Sequence, residues 1–407
     1  MMGNVQGEVT QMPKKEIFPL QRIAATKFKR LAQAFPVVSV IGPRQSGKTT
    51  LAKAVFPEHT HVSLEDLDNR AYAENDPRGF LADHPHNVII DEVQRAPNLF
   101  SYLQTKVDEL DTPGQYILTG SAHLTLLEKL TQSLAGRAAL LKLLPLSITE
   151  LMNHNLLKED DMAQLFTGFY PRLYKHAIEP LDWYQNYIQT YLEKDVREII
   201  NIKNLLTFKR FLGLCAGRHG QLLDVSECAN DCGIARQTVN DWLSVLEASY
   251  LIYLLPSFHK NFSKRLIKSP KLFFYDTGLV CSLLKIENAE QLKTHYLRGA
   301  IFEGYVITEI IKHRYNQGLE PHVYYWKEKH GNEVDCIIEK ANQLLAIEIK
   351  SGKTINNDFF KGLKYWQSLS GDKSKNSFLI YGGEQKQKRE HGQVLGWNQL
   401  DELLMRS

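Results

Sequence analysis

Cysteine is scarce in this chain. Only Cys215, Cys228, Cys232, Cys281 and Cys336 occur among 407 residues. Their scatter excludes a disulfide scaffold, and Cys228 and Cys232 have no second Cys or His pair at zinc-ligand spacing. Reduced or buried thiols are the expectation. No run of 18 apolar residues exists, so no membrane-spanning helix and no membrane partner are expected. Residues 1–16 are polar and lack the apolar core of a secretory signal, which points to a cytoplasmic protein. An excess of charge of one sign is missing too. With 49 basic against 46 acidic residues and a net charge of +3, composition does not announce a nucleic-acid binder. Repeats and low-complexity segments are absent, which excludes solenoids and fibrous folds.

What is present is an ordinary globular composition, 43% hydrophobic and 23% charged, in a chain long enough for two or three domains. One stretch organises it. A β-branched apolar run ends at Gly42, and Gly42, Pro43, Arg44, Gln45, Ser46, Gly47, Lys48 and Thr49, followed by Thr50, fit the phosphate-loop pattern G-x-x-x-x-G-K-[ST]. The glycines let successive N–H groups turn inward as an anion nest. Lys48 reaches β- and γ-phosphates, and Thr49 offers its hydroxyl to Mg²⁺. The residues after it read as a helix whose positive end faces the phosphates.

About forty residues on, HNVIIDE (86–92) sets two carboxylates at the end of an apolar strand. Asp91 is expected to hold Mg²⁺ through water and Glu92 to position or polarise the attacking water, on a strand lying beside the loop strand in a parallel sheet. QYILTGSA (115–122) reads as the next buried strand, where Thr119 or Ser121 either senses the γ-phosphate or orients water, or merely forms a polar strand end. Arg137 follows a glycine and is either a surface ion-pair residue or an arginine that reaches the nucleotide of an adjacent subunit.

The segments GPRQSGKTT, AENDPRGFL (73–81), VIIDEVQRAP (88–97), ILTGSA (117–122), SLAGR (133–137), LLPLSITEL (143–151) and YIQTYLEKDVREI (187–199) together resemble a large group of prokaryotic AAA+-type ATPases. Those proteins carry a C-terminal domain of unknown function with a restriction-endonuclease-like fold. The resemblance runs from about residue 18 to 390 and implies ATP binding, Mg²⁺-dependent hydrolysis and self-assembly. It brings no defined physiological substrate. Where relatives have a Gly-Gly pair, this chain has Gly168-Phe169-Tyr170-Pro171.

Residues 151–205 show helical patterning, with Trp183, Tyr184, Tyr187, Ile188, Tyr191 and Leu192 as a packing stripe. Residues 222–258 read as a helix capped by Ser226, a turn at Gly233, a helix over 236–248 and a strand, the pattern of a winged helix. If double-stranded DNA binds there, Arg236, Gln237, Thr238 and Asn240 face the groove. The basic stretch 259–271 suits phosphate contact, and a lid or subunit-packing role is the competing reading.

Near the C-terminus an amphipathic helix over 297–311 presents Glu303. A hairpin over 322–340 starts its second strand with Glu333 and Asp335. Thirteen residues after Asp335, Glu348 and Lys350 share one strand face. Asp…Glu-x-Lys is the arrangement of PD-(D/E)xK nucleases: Glu303, Asp335 and Glu348 hold a divalent metal and Lys350 activates water.

The expectation as a whole is an α/β protein. It has a loose tail (1–16), an AAA+-type parallel-sheet core with a P-loop (17–150), a helical lid (151–205), a winged-helix segment (206–285) and a PD-(D/E)xK-like α/β domain (286–407). ATP and Mg²⁺ are the expected cofactors, a homo-oligomer the expected state, and no other small-molecule substrate is inferred. Two alternatives stay open beside a plain ATPase: an ATP-regulated DNA-binding nuclease, and an ATP-driven assembly protein whose nuclease-like domain is inactive.

Overall fold

The computed structural model describes residues 20–110, 112–121, 132–192, 204–259, 267–329, 331–341, 343–371 and 374–407. Five strands, β1 (Val37–Gly42), β2 (Thr60–Ser63), β3 (Val88–Asp91), β4 (Tyr116–Ser121) and β5 (Ala138–Lys142), form one sheet in the order β2-β3-β4-β1-β5. Every pairing is parallel. Parallel strands need crossovers and are covered on both faces, so their residues are apolar on both sides. Val38, Val40, Ile89, Ile117 and Leu141 pack on Ala24 and Phe28 of the helix Ala24–Ala32 and on Leu51 of the helix Lys48–Val55. Val37, Ile41, Val88, Ile90 and Leu118 point into the other, larger core.

One sequence expectation is corrected here. The loop strand and the Asp-Glu strand are not neighbours, because β4 lies between β1 and β3. The chain crosses to the far edge after β1 and returns through β3 and β4. That order leaves Asp91 in register with Thr119 and Gly42 in register with Ser121.

Short helices follow the sheet: Ile148–Asn153, Asp161–Thr167, Pro171–His176 and Pro180–Tyr187. The first is closed by a capping box, in which Ser147 accepts from the Glu150 N–H and Glu150 accepts from the Ser147 N–H. The aromatic stripe is a packing face. Trp183 and Tyr187 stack at 4.9 Å and Tyr170 sits 4.7 Å from Trp183. The side chains of Tyr191 and Leu192 lie outside what is described.

Helices Leu205–Gly217, Val225–Cys232 and Arg236–Ala248 come next, followed by an antiparallel hairpin of β6 (Ile252–Leu255) and β7 (Lys271–Phe274). Gly233, with φ 66°, makes the turn between the last two helices. The N-cap is Asp224 and not Ser226. Its carboxylate accepts from the backbone N–H groups of Ser226 and Glu227, which leaves Ser226 inside the helix, two residues past the cap.

The C-terminal sheet has the order β12-β13-β11-β10-β9-β8, built from β8 (Val323–Lys327), β9 (Glu333–Lys340), β10 (Gln343–Lys350), β11 (Ser377–Tyr381), β12 (Gln387–Arg389) and β13 (Gly392–Gly396). Strands β8, β9 and β10 form an antiparallel meander, and β11 joins β10 in parallel. Leu344, Ala346 and Leu379 pack on Leu363 and Trp366 of the helix Lys361–Ser370. On the other side lies the helix Arg298–Asn316, expected to be amphipathic. Fourteen of its nineteen residues are buried, because the parallel-sheet unit, the hairpin and the C-terminal sheet all pack around it. One continuous apolar core therefore runs from β1 to β10. All five cysteines are buried and free.

Candidate functional sites

The phosphate loop has the shape its residues demand. Gly47 has φ 96°, and a Cβ on Gly42 would stand 2.1 Å from the Leu143 carbonyl oxygen, so glycine is required at both. The Lys48 ammonium is buried and folds onto the carbonyls of Gly42 (3.2 Å) and Pro43 (2.9 Å). Burial pushes its pKa down to about 8, against the pull of Glu92 and Asp91. The Ser46 hydroxyl is buried without a hydrogen-bond partner, a donor left over for a ligand oxygen.

Thr49 donates to Asp91 Oδ1 at 2.8 Å, and the Thr119 hydroxyl donates to the same oxygen. His61, a neighbour not foreseen, stands 3.8 Å from Asp91 Oδ2. A hydroxyl beside a carboxylate is the hard-oxygen set that suits Mg²⁺. Glu92 sits in the left-handed region with φ 55° and accepts from the Gln94 side-chain amide. The side chain of Ser121 lies outside the described residues, so its expected role has no counterpart here.

Next to the loop opens a cleft of about 370 Å³, within the usual range for small-molecule sites. Leu20, Ala54, Leu146 and Pro171 give it an apolar side, and Arg172 and Lys175 add two cations from the helix Pro171–His176. Thr50 lines it, while Arg44 is turned outward to Glu65 at 3.1 Å. Sequence reasoning missed Arg172, Lys175 and above all Arg22. Arg22 is almost fully buried. It bonds Glu150 (3.0 Å), the carbonyl of Ser46 inside the phosphate loop (2.8 Å) and the carbonyl of Leu144 (2.7 Å). An isolated arginine ahead of a helix carries no sequence signal for that task.

Arg137 is held by Asp108, with Nη2 2.9 Å from Oδ2. It precedes β5, and its carbonyl accepts from Val37 at the start of β1. The phosphate loop leaves the other end of β1, so a five-residue strand, roughly 16 Å at ~3.3 Å per residue, separates the two. Arg137 therefore cannot serve the nucleotide of its own subunit.

Arg236, Gln237 and Asn240 are exposed at the start of their helix, Thr238 is half-buried, and Gln237 bonds Asp241 at 2.8 Å.

The C-terminal carboxylates do gather. Asp335 accepts from the Ile349 N–H (2.7 Å) and from Lys350 (3.1 Å), and Lys350 also meets Glu348 at 2.6 Å. Glu303 faces Lys271 at 2.8 Å, and Glu333 is shared by Lys271 and Lys327, each at 2.6 Å. Burial pushes Glu303 up to about 7; burial and the Asp335 charge push Glu348 up to about 8. Burial works against the charge on Lys271, but Glu303, Glu333 and Asp335 outweigh it and hold its pKa above the usual range. As they stand, no three His, Cys, Asp or Glu side chains among the described residues are arranged to hold a metal ion. Glu348 Oε2 is buried with no partner. Lys271 and Lys327 were not foreseen in this site.

No helix among the described residues is long and apolar enough to cross a membrane. Family models match an AAA domain over residues 34–152, a domain of unknown function (DUF8612) over 158–290 and another (DUF4143) over 298–400. Two curated proteins, uncharacterized protein Rv2008c of Mycobacterium tuberculosis and its counterpart in Mycobacterium bovis, are each 31% identical over 339 residues, which is 82% of this chain and 74% of theirs. Among solved structures, the Walker-type ATPase of Pyrococcus abyssi is 14% identical with a TM-score of 0.44, covering 64% of this chain and 94% of its own. AMPPCP-bound DnaA from Aquifex aeolicus is 18% identical with a TM-score of 0.29, covering 55% and 86%. Overlaps at that level carry no functional argument.

Proposed function

This chain belongs to the same family as the two mycobacterial proteins and carries an AAA-type ATPase domain, and from that premise we propose that it is a Mg²⁺-dependent, self-assembling ATP hydrolase. The observation that carries the reading is the contact of Thr49 with Asp91, 2.8 Å apart, beside a buried Lys48 and an unpartnered Ser46 hydroxyl. In this reading Lys48 leaves the loop carbonyls to meet the β- and γ-phosphates, while the loop N–H groups cradle them. Thr49 and Asp91 hold Mg²⁺, which offsets charge on the phosphates. Glu92, steadied by Gln94, orients and polarises the attacking water. Thr119 keeps the Asp91 carboxylate turned to Thr49. The apolar side of the cleft, Leu20, Leu146 and Pro171, would receive the base, and Arg172 and Lys175 would add positive charge to the cleft.

Lys48→Ala is expected to abolish ATP binding in equilibrium dialysis. Glu92→Gln is expected to keep binding and lose turnover. Wild-type hydrolysis in either variant would remove the assignment.

A second reading concerns the C-terminal domain, where the unpartnered Glu348 oxygen in a nest of carboxylates favours a metal-assisted phosphodiesterase site of the PD-(D/E)xK kind. The meander β8-β9-β10 with parallel β11, flanked by the helices Arg298–Asn316 and Lys361–Ser370, supports it. The three-helix segment with its hairpin supports a winged helix that offers Arg236, Gln237, Thr238 and Asn240 to duplex DNA. Plasmid nicking with Mg²⁺ or Mn²⁺ that disappears in Asp335→Ala is the expected result. No nicking under any condition leaves an ATPase with a structural C-terminal domain.

A further inference from the structure

We propose that Lys271 is a built-in counterion occupying the cation position of the C-terminal carboxylate cluster, and that a divalent cation loads this site by displacing it. The inference rests on the metal-assisted reading of the cluster given above.

Lys271 comes from β7, outside the sheet that carries most of the carboxylates. Its side chain is 5% exposed, and its ammonium bridges Glu303 Oε1 at 2.8 Å and Glu333 Oε1 at 2.6 Å. Bridging half-buried carboxylates from two elements is the work a metal ion does in such a centre. Charge makes the same point. When ionised, Glu303, Glu333, Asp335 and Glu348 face only three ammonium groups, those of Lys271, Lys327 and Lys350. In that fully ionised state the centre is short of one positive charge, and Glu348 Oε2 is a buried carboxylate oxygen left without a partner. A divalent cation added beside Lys271 overshoots by one; a divalent cation replacing Lys271 balances the centre.

The geometry also explains why no three carboxylates are arranged for a metal as they stand. Lys271 draws Glu303 and Glu333 toward β7, while Lys350 draws Asp335 and Glu348 together. Withdrawal of the ammonium requires no refolding. Lysine has a flexible four-carbon stem, so the side chain can move while β7 stays fixed by β6 and, on its other side, by the Gly220 N–H to the Leu272 carbonyl (2.7 Å) and the Leu223 N–H to the Pro270 carbonyl (2.8 Å). The segments flanking the hairpin's loop are fastened to the edge strand β8 by a few main-chain bonds, Phe258 N–H to the Tyr325 carbonyl (2.7 Å) and Ile267 N–H to the Lys327 carbonyl (3.2 Å) among them.

The test is Mn²⁺ binding to the nucleotide-free full-length protein, read by electron paramagnetic resonance. Lys271→Met is expected to bind Mn²⁺ at least tenfold more tightly than wild type, and Lys271→Met with Asp335→Asn to lose that gain. Wild type is also labelled with a lysine-acylating reagent and analysed by mass spectrometry. Lys271 is expected to be protected alone and labelled under saturating Mn²⁺. Equal Mn²⁺ affinity in wild type and Lys271→Met, or Mn²⁺ binding with Lys271 still protected, overturns the role of Lys271 and leaves the metal site standing. No Mn²⁺ binding in any form overturns the metal-assisted reading and this inference with it. If Lys271→Met does not fold, labelling of the wild type decides.

Discussion

Replacing Arg22 by Met tests how the phosphate loop is held. Arg22 and Glu150 are 5% and 1% exposed, so the substitution leaves a carboxylate buried without its cation. Breaking a buried pair from one side costs about 3–5 kcal/mol. Glu150 keeps the N–H donors of Ile23 (2.7 Å) and Ser147 (2.9 Å), which places the expected loss near the lower end, about 3 kcal/mol. Arg22→Met with Glu150→Gln removes both charges and should be less destabilised than the sum of the single variants by about 2 kcal/mol. Urea unfolding followed by tryptophan fluorescence measures both quantities. The Ser46 carbonyl also loses its anchor, so ATP affinity should fall at least tenfold, ~1.4 kcal/mol. Arg22→Lys restores the charge without the fork and should recover stability better than affinity. A loss below about 1 kcal/mol in Arg22→Met, or strict additivity in the double variant, would refute the reasoning.

Two further outcomes are expected. His219 is fully buried, accepts from the Phe274 N–H at 3.2 Å, and burial pushes its pKa from 6.5 down to about 3. Between those values the unfolded chain binds a proton that the folded chain refuses. Stability therefore falls as pH drops below about 6.5, by ~1.4 kcal/mol per unit from this group. His219→Gln should flatten that part of the urea-midpoint profile, and an unchanged slope would exclude His219 as its source. Arg137 lies across the sheet from its own phosphate loop, so any catalytic role must be exerted on a neighbouring subunit. Mixing inactive Arg137→Ala with inactive Lys48→Ala should restore part of the ATPase rate, and no rescue removes the trans role.

The sequence was most legible where chemistry is local. In the phosphate loop, Gly42, Gly47, Lys48 and Thr49 stand within eight consecutive residues, so spacing alone singles them out. The apolar strands that carry Asp91 and Thr119 were equally readable, because a parallel strand buried on both faces is a continuous apolar run. Their neighbour relations were not, since any of several strand orders suits the same runs. The helix bearing Glu303 misled for a related reason. It was read as amphipathic, but in the fold its Glu309 and Lys312 are buried, pair with each other at 2.7 Å and bond the Ile148 N–H and the Leu146 carbonyl.

By itself, then, the sequence pointed to the α/β class, the nucleotide loop, the carboxylate pair at the end of β3 and the Asp335, Glu348 and Lys350 set of the C-terminal cluster. Each follows from periodicity or from a motif whose members are close along the chain. Only the tertiary structure decided that β4 separates β1 from β3, that Arg22 braces Ser46, and that Lys271 sits between Glu303 and Glu333. The physical reason is the same in all three. A lone cation or a strand order has no local energetic signature. Which charges are buried together is settled only when distant segments share one core and each buried charge must find a partner there.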